Sequence, residues 1–425
     1  MQVILKAISL SYLISFFVYQ STFAANELVS DKINKNIKKG GVIEKSTNKI
    51  IQYPSTTAIN LKAKQVILVD YATGKILLEK NAYDLMSPSS MTKIMTSYII
   101  QEQLKIGYVS LDSEFIVSKK AWKMGGSKSF MPLGKKVRLE DILRGIIIQS
   151  GNDASIVAAE GMYGSEKSFV DIMNAKAKEI GMKKTYFSNS TGFSTNNHYS
   201  TAYDVALLGT ELIKTHPEFY SMYSEKNFTF GLSNKGKPIT QENRNPLLYK
   251  DLGCDGIKTG YTVSGGYGIV ASFVDNNRRY IMVINGLNST TIRASESEKI
   301  IYWVKHNFIN KEFYSKGYIV GEADVLFGKK SKVLLTLSNK VQGLALRSEQ
   351  HEISTKLKVL SPLPAPLKAG DVVGKLLIKI NGEEQEVPVV VNESVEKTGV
   401  FHQIIISVRL IFLNILATFG TAEKI

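Results

Sequence analysis

Pro88-Ser89-Ser90-Met91-Thr92-Lys93-Ile94-Met95-Thr96 is the stretch on which the fold and chemistry of this chain turn. It reads as a helix start with a serine in its first turn and a lysine three residues on. Positions i and i+3 lie on one helix face, so Ser90 Oγ and Lys93 Nζ can meet. A hydroxyl beside an amine is one of the few nucleophile–base pairs available without histidine. The apolar run through Ile94, Met95, Tyr98, Ile99 and Ile100 marks the helix as buried. Its positive N-terminal end can stabilise an oxyanion. The spacing alone is common. Ser46-Thr47-Asn48-Lys49 repeats it, but in a Lys- and Asn-rich stretch with no buried setting to lower a lysine pKa.

Two downstream triplets separate the first copy from the second. The helix-like run Leu139–Ile148 ends at Gln149-Ser150-Gly151-Asn152-Asp153-Ala154, and a new apolar helix, Ile156–Tyr163, follows. Ser150 and Asn152 are thereby expected in a connection between buried helices, projecting into a cleft. Lys258-Thr259-Gly260 precedes two β-rich runs, Gly268–Val274 and Tyr280–Asn285, joined by the turn Asp275–Arg278. Ser194-Thr195-Asn196 and Lys397-Thr398-Gly399 duplicate these triplets, the one in a polar loop and the other in a short hinge. Only one set occupies a helix start, an interhelix connection and a strand head, in that order, within one domain-sized span. Around it, Ala63–Asp70 and Lys75–Glu79 read as a hairpin, Phe169–Ile180 as a helix closed by Gly181, Ala202–Thr215 as another, and Ser297–Phe308 as the closing helix.

The chain has 425 residues, room for two domains and ancillary segments. Its 44% hydrophobic and 21% charged content is ordinary for a globular protein. The net charge of +15, from 53 Lys+Arg against 38 Asp+Glu, suits an anionic membrane surface, an acidic polymer or nucleic acid. No zinc-finger spacing and no aromatic-interleaved RNA-binding signature is present, so nucleic acid is set aside. A single cysteine, Cys254, excludes an intramolecular disulfide. Five scattered histidines without His-x-x-x-His or Cys-x-x-Cys spacing predict no metal and no cofactor.

The organisation reads as five segments. Residues 1–24 carry Lys6, an apolar stretch Ala7–Tyr19 and Thr22-Phe23-Ala24, the pattern of a signal peptide, with an uncleaved anchor as the alternative. Residues 25–53 are a Lys/Asn-rich linker or disordered arm. Residues 54–308 hold the three triplets. Residues 309–397, with short alternating runs punctuated by Gly, Pro and Asn, predict a small all-β domain of spacer or binding character. Residues 398–425 include Val400–Phe419, where Gln403, Ser407, Asn414 and Thr418 share one side and aliphatic residues the other. That predicts an amphipathic helix in a membrane interface; Arg409 at mid-length would cost a spanning helix about 2.5–3.5 kcal/mol.

The ordered set Ser90-x-x-Lys93, Ser150-x-Asn152 and Lys258-Thr259-Gly260 resembles the signature of low-molecular-mass penicillin-binding proteins, the serine-type D-alanyl-D-alanine carboxypeptidases. His198-Tyr199-Ser200-Thr201-Ala202-Tyr203-Asp204 and Gln241-x-Asn243-Arg244-Asn245 are similar to that family's linking segments. The likeness runs from about Pro54 to Phe308 and more loosely through the β domain to the terminal helix, which resembles the family's membrane anchor. Ser264-Gly265-Gly266 departs from the more frequent Ala-Gly. The resemblance implies an α/β (α+β) DD-peptidase/β-lactamase-like domain, a helical subdomain on an antiparallel sheet with the site between. It implies removal of the terminal D-Ala from peptidoglycan stem peptides, inhibition by β-lactam antibiotics, and a place on the periplasmic face of the inner membrane.

It also implies roles. Ser90 would be the nucleophile and Lys93 its base, kept neutral by burial and by a nearby positive Lys258. Ser150 would relay a proton to the leaving amine while Asn152 positions the peptide amide. Backbone N–H groups at Ser90 and on the strand after Gly260 would form the oxyanion hole. Lys258 and Thr259 would bind the terminal carboxylate, and Arg293, 35 residues after Lys258, matches a family arginine that assists. A β-lactamase or DD-endopeptidase using the same triplets, and a non-catalytic wall-binding scaffold, are the alternatives. No deacylating glutamate is assignable by motif.

Overall fold

A computed structural model describes residues 46–49, 59–233, 235–347, 353–380 and 383–408. The signal-peptide segment and most of the Lys/Asn-rich arm lie outside the described residues. The chain divides into two units, residues 56–309 and residues 1–55 with 310–425.

Strand β1 (Ser46–Lys49) belongs to the second unit, where it pairs antiparallel with Ile353–Lys356. Four residues of the expected linker or disordered arm thus add an edge strand. Edge pairing runs through backbone groups, so a polar composition does not prevent it.

The first unit is built on the antiparallel sheet β3-β2-β10-β9-β8. Its strands are β2 (Gln65–Asp70), β3 (Ile76–Lys80), β8 (Cys254–Thr262), β9 (Gly266–Asp275) and β10 (Arg278–Leu287). The central strands bury side chains on both faces, and their sequence is accordingly almost continuously apolar. Ile67, Val69, Val270, Ile281 and Val283 join the core formed by the helices. Val66, Leu68, Ile269, Met282 and Ile284 are buried as well, and the closing helix packs on β9 and β10.

The helical layer comprises α1 (Lys93–Lys105), α2 (Lys119–Lys123), α3 (Leu139–Ile147), α4 (Asn152–Tyr163), α5 (Glu166–Ile180) and α6 (Ala202–Thr215). In α3, Leu139, Ile142, Leu143 and Ile146 repeat at helical spacing and are buried, while Glu140 and Asp141 occupy the first turn, where the helix dipole favours them. Helix α1 is enclosed over most of its length, from Lys93 through Gln101. Ser165 and Thr201 cap α5 and α6 by accepting from Ser168 N and Asp204 N, and Gly181 ends α5 in the left-handed conformation.

Helix α7 (Thr290–Asn307) closes the unit. It begins seven residues before the expected Ser297, because Ser289 caps it by accepting from Ile292 N. Its first turns are polar and give no apolar signal, yet they carry Arg293.

In the second unit the described residues from 310 to 397 are all-β, as their alternating pattern predicts. A seven-stranded sheet runs in the order Ser46–Lys49, Ile353–Val359, Val372–Ile380, Glu383–Val391, Lys332–Leu337, Ile319–Leu326 and Leu363–Pro364, with Phe308–Tyr314 and Val341–Leu346 paired apart from it. Strand β18 (Glu383–Val391) shows the period of two: Val387, Val389 and Val391 are buried, and Glu386 pairs across the strands with Lys375. Residues 400–408 are helical, and the remainder of the expected Val400–Phe419 helix lies outside the described residues.

Candidate active site

Ser89–Thr92 form a 3-10 turn that runs into α1 at Lys93. Ser90 therefore precedes the α-helix rather than sitting in its first turn. In a 3-10 turn, side chains three apart eclipse one another, which brings Lys93 Nζ to 3.3 Å from Ser90 Oγ. The turn is tied to the far end of β8 by Ser89 Oγ, 2.9 Å from Thr262 Oγ1. Gly260 is the point of closest approach. A Cβ there would lie 3.0 Å from the Pro88 carbonyl oxygen and 3.1 Å from Ser89 Cβ.

Lys93 is almost wholly buried, and Nζ donates to Asn152 Oδ1 at 2.7 Å and to the Thr191 carbonyl oxygen at 2.6 Å. Burial lowers its pKa to about 7, the Arg244 charge adds to the effect, and Asp153 opposes it. Asn152 heads α4, and its Nδ2 donates to the Gly125 carbonyl at 2.8 Å. Ser150 stands between α3 and α4 at φ +60°, and its buried Oγ has no hydrogen-bond partner in the protein. Behind it, the Asp153 carboxylate accepts from Ser129 N at 2.8 Å and Met131 N at 3.1 Å.

Lys258, Thr259 and Gly260 lie within β8, the edge strand of the sheet, rather than ahead of the strands. Lys258 is buried with Nζ 3.2 Å from the Thr259 carbonyl oxygen. Burial first, then the charges of Lys93, Arg244 and Arg293, hold its pKa well below the ordinary lysine value. Arg293 donates from Nη2 to the Arg244 carbonyl at 3.1 Å, while its buried Nε is unpartnered. Burial also lowers Arg293 to about 10. Among the described residues, no carboxylate pairs with Lys258, Arg244 or Arg293.

A cavity of about 640 Å³ opens over these groups, lined by Ser90, Ser127, Ser150, Arg244, Thr259, Gly260, Arg293 and the stacked pair Tyr261 and Tyr267 among others. Lys93, Asn152 and Lys258 are buried beside this lining rather than in it. The structure thus brings all eight expected residues together: Ser90, Lys93, Ser150, Asn152, Lys258, Thr259, Gly260 and Arg293.

The electrostatics of the base include a contributor beyond the expected one. Arg244 adds its charge to burial in lowering Lys93, a second cation beside the expected Lys258. Lys93 and Lys258 repel one another, and burial followed by that repulsion holds Lys258 well below the ordinary lysine value. Arg244 was legible only as part of a linking segment. Thr191 was not legible at all, since it contributes a backbone carbonyl. A third unforeseen contact joins Thr92 Oγ1 to His198 Nε2 at 2.7 Å. Ser188 N donates to His198 Nδ1, leaving the proton on Nε2. Burial and the Lys93 charge push this imidazole down to about 4, so it stays neutral.

The duplicate triplets lie elsewhere. Ser194 Oγ meets Ser264 Oγ at 3.1 Å on the exposed surface, and Lys397–Gly399 belong to the second unit.

Residues 51–289 match the D-alanyl-D-alanine carboxypeptidase family, and residues 308–397 match the C-terminal domain of penicillin-binding protein 5. The chain is 38% identical over 356 residues to D-alanyl-D-alanine carboxypeptidase DacC of Escherichia coli K12, covering 82% of this chain and 88% of that protein. It is 34% identical over 348 residues to DacF of Bacillus subtilis 168, covering 81% and 88%. The crystal structure of penicillin binding protein 5 from Haemophilus influenzae is similar with a TM-score of 0.63 and 34% identity, over 81% of this chain and all of that one. With the three triplets gathered around one cavity and likeness extending through both units, the chain belongs to the D-alanyl-D-alanine carboxypeptidase family of penicillin-binding serine hydrolases.

Proposed function

We propose that the protein removes the terminal D-Ala from peptidoglycan stem peptides through an acyl-enzyme on Ser90. The observation that carries this is the amine of Lys93, buried with a pKa of about 7 and held 3.3 Å from Ser90 Oγ. Neutral Lys93 takes the hydroxyl proton as Ser90 Oγ attacks the penultimate D-Ala carbonyl. Backbone N–H groups of Ser90 and of the strand after Gly260 receive the oxyanion. Collapse of the tetrahedral intermediate breaks the C–N bond, and Ser150 passes a proton to the leaving amine while Asn152 orients the peptide. Water then hydrolyses the ester and restores the hydroxyl.

Thr259, Arg293 and the charge of Lys258 receive the terminal carboxylate. An anion entering beside Lys258 offsets the repulsion from Lys93, Arg244 and Arg293 and favours the charged form of the amine. Among the described residues no carboxylate lines the cavity, where base-assisted deacylation of the β-lactamase kind would need one. Labelled penicillin tests the assignment: a stable adduct on the native chain and none on Ser90→Ala is expected, whereas label persisting in Ser90→Ala would overturn it. Release of free D-Ala from a D-Ala-D-Ala peptide tests the substrate.

Export and attachment to the periplasmic face of the inner membrane complete the reading. Phe401, Ile404, Ile405 and Val408 recur at helical spacing and are exposed, which supports an apolar face laid on a lipid surface. Among the described residues no helix is long and apolar enough to cross a membrane. Truncation after Lys397 should move the protein to the soluble fraction with its activity kept; retention in the membrane fraction would remove the helix as anchor.

A further inference from the structure

The loop between α5 and α6 supplies the base with something no motif announces. Thr191 O lies 2.6 Å from Lys93 Nζ, and Asn152 Oδ1 lies 2.7 Å from it. A neutral amine has two N–H donors and one lone pair. Two acceptors on those donors leave the lone pair as the remaining direction, towards Ser90 Oγ. The orientation of the base therefore depends on where the Thr191 carbonyl is held.

That carbonyl is held by one side chain. Asn189 Oδ1 accepts from Thr191 N at 3.1 Å, Thr191 Oγ1 at 2.9 Å, Gly192 N at 2.8 Å and Phe193 N at 3.1 Å. Its Nδ2 closes the turn by donating to the Phe193 carbonyl at 2.9 Å. The preceding residue is fixed independently: Thr96 Oγ1 donates to the Ser190 carbonyl at 2.6 Å, and Glu166 accepts from Ser190 N and Oγ.

We propose that Asn189 is a positioning residue for the acylation step, shaping residues 191–193 so that the Thr191 carbonyl takes one N–H of Lys93 and turns its lone pair to Ser90. This rests on Ser90 being the nucleophile and Lys93 its base. Asn189 touches neither the cavity lining nor the reacting atoms, so its effect falls on the rate of acylation and not on the binding of the substrate carboxylate.

The test uses the full chain and benzylpenicillin, following acylation at saturating and subsaturating concentrations across pH. Formation of a Ser90 adduct by the native protein is the entry condition. Its absence overturns the nucleophile assignment itself, a different result from any outcome with the variants. Asn189→Ala is expected to lower the limiting acylation rate by about 10²-fold, the scale of a misplacement near 1 Å, with half-saturation unchanged. Loss of a carbonyl that favours the protonated amine should also move the acid limb to lower pH. Asn189→Asp keeps an acceptor for the same four donors and should recover most of the rate, while its added negative charge moves the limb to higher pH. Native-like acylation by Asn189→Ala, or a change confined to half-saturation, overturns the proposal. So does Asn189→Asp being as slow as Asn189→Ala. Should Asn189→Ala fail to fold, Asn189→Asp decides alone: a raised limb with the plateau kept supports the assignment, and an unmoved limb overturns it.

Discussion

Gly192 and Ser89 touch backbone to backbone: a Cβ on Gly192 would fall 1.8 Å from the Ser89 carbonyl oxygen. Gly192 also has φ +78°, the left-handed region. Gly192→Ala should therefore cost about 3 kcal/mol or more of stability, from overpacking and backbone strain together. Acylation should fall with it, because the residue pushed away is next to Thr191. Denaturant unfolding and penicillin labelling of the same sample check both. An alanine variant of native stability and rate would show that the loop yields freely.

Ser150 separates stability from chemistry. Its Oγ has no partner in the protein, and its φ of +60° suits glycine. Ser150→Gly should raise stability by about 1 kcal/mol through relief of that strain, and Ser150→Ala should leave stability nearly unchanged. Both should lower turnover by about 10²–10⁴-fold, the range for loss of a proton relay. Thermal melts paired with D-Ala release settle it; turnover retained in either variant removes Ser150 from the mechanism.

The pH dependence has a definite sign. Lys93 accepts a proton only when neutral, so acylation should rise as pH increases through about 7 and level off above. Arg244→Gln removes the neighbouring cation, lets the Lys93 pKa rise, and should move this limb to higher pH. Acylation rates between pH 5 and 9 report it. An unmoved limb in Arg244→Gln would mean that burial alone sets the amine.

Far from the lining, Arg278 grips Asp70 through Nε and Nη2, each at 2.6 Å, and both side chains are buried. Asp70→Ala removes the carboxylate from a buried ion pair and should cost about 3–5 kcal/mol. Acylation per folded molecule should stay native. Unfolding curves and active-site titration distinguish this from damage to the site, which would appear as a slower rate in the folded fraction.

The parts legible in the sequence are those whose chemistry resides in side chains at fixed spacing. Ser90, Lys93, Ser150, Asn152 and Lys258 announce themselves by type and order, and the apolar runs around them place the helices and strands. What escaped works through the backbone or through distance in the chain. Thr191 offers only a carbonyl, and Gly192 contributes by what it lacks. Arg244 acts on Lys93 from 151 positions away, which no spacing rule encodes. The early start of α7 was hidden because a serine cap and a polar first turn need no apolar period. β1 was hidden because edge pairing asks nothing of side chains.

Lys258, Arg244 and Arg293 cluster with no carboxylate paired to them among the described residues, and this has a consequence on the side of the cell wall. In the proposed binding mode a peptide terminating in a carboxylate completes these electrostatics, whereas one terminating in a carboxamide leaves the cations facing a neutral group. Sites whose buried polar groups go unmatched reject such analogues by about 10⁴–10⁵. Amidation of the stem terminus would thus withdraw the polymer from this enzyme without any change in the enzyme itself.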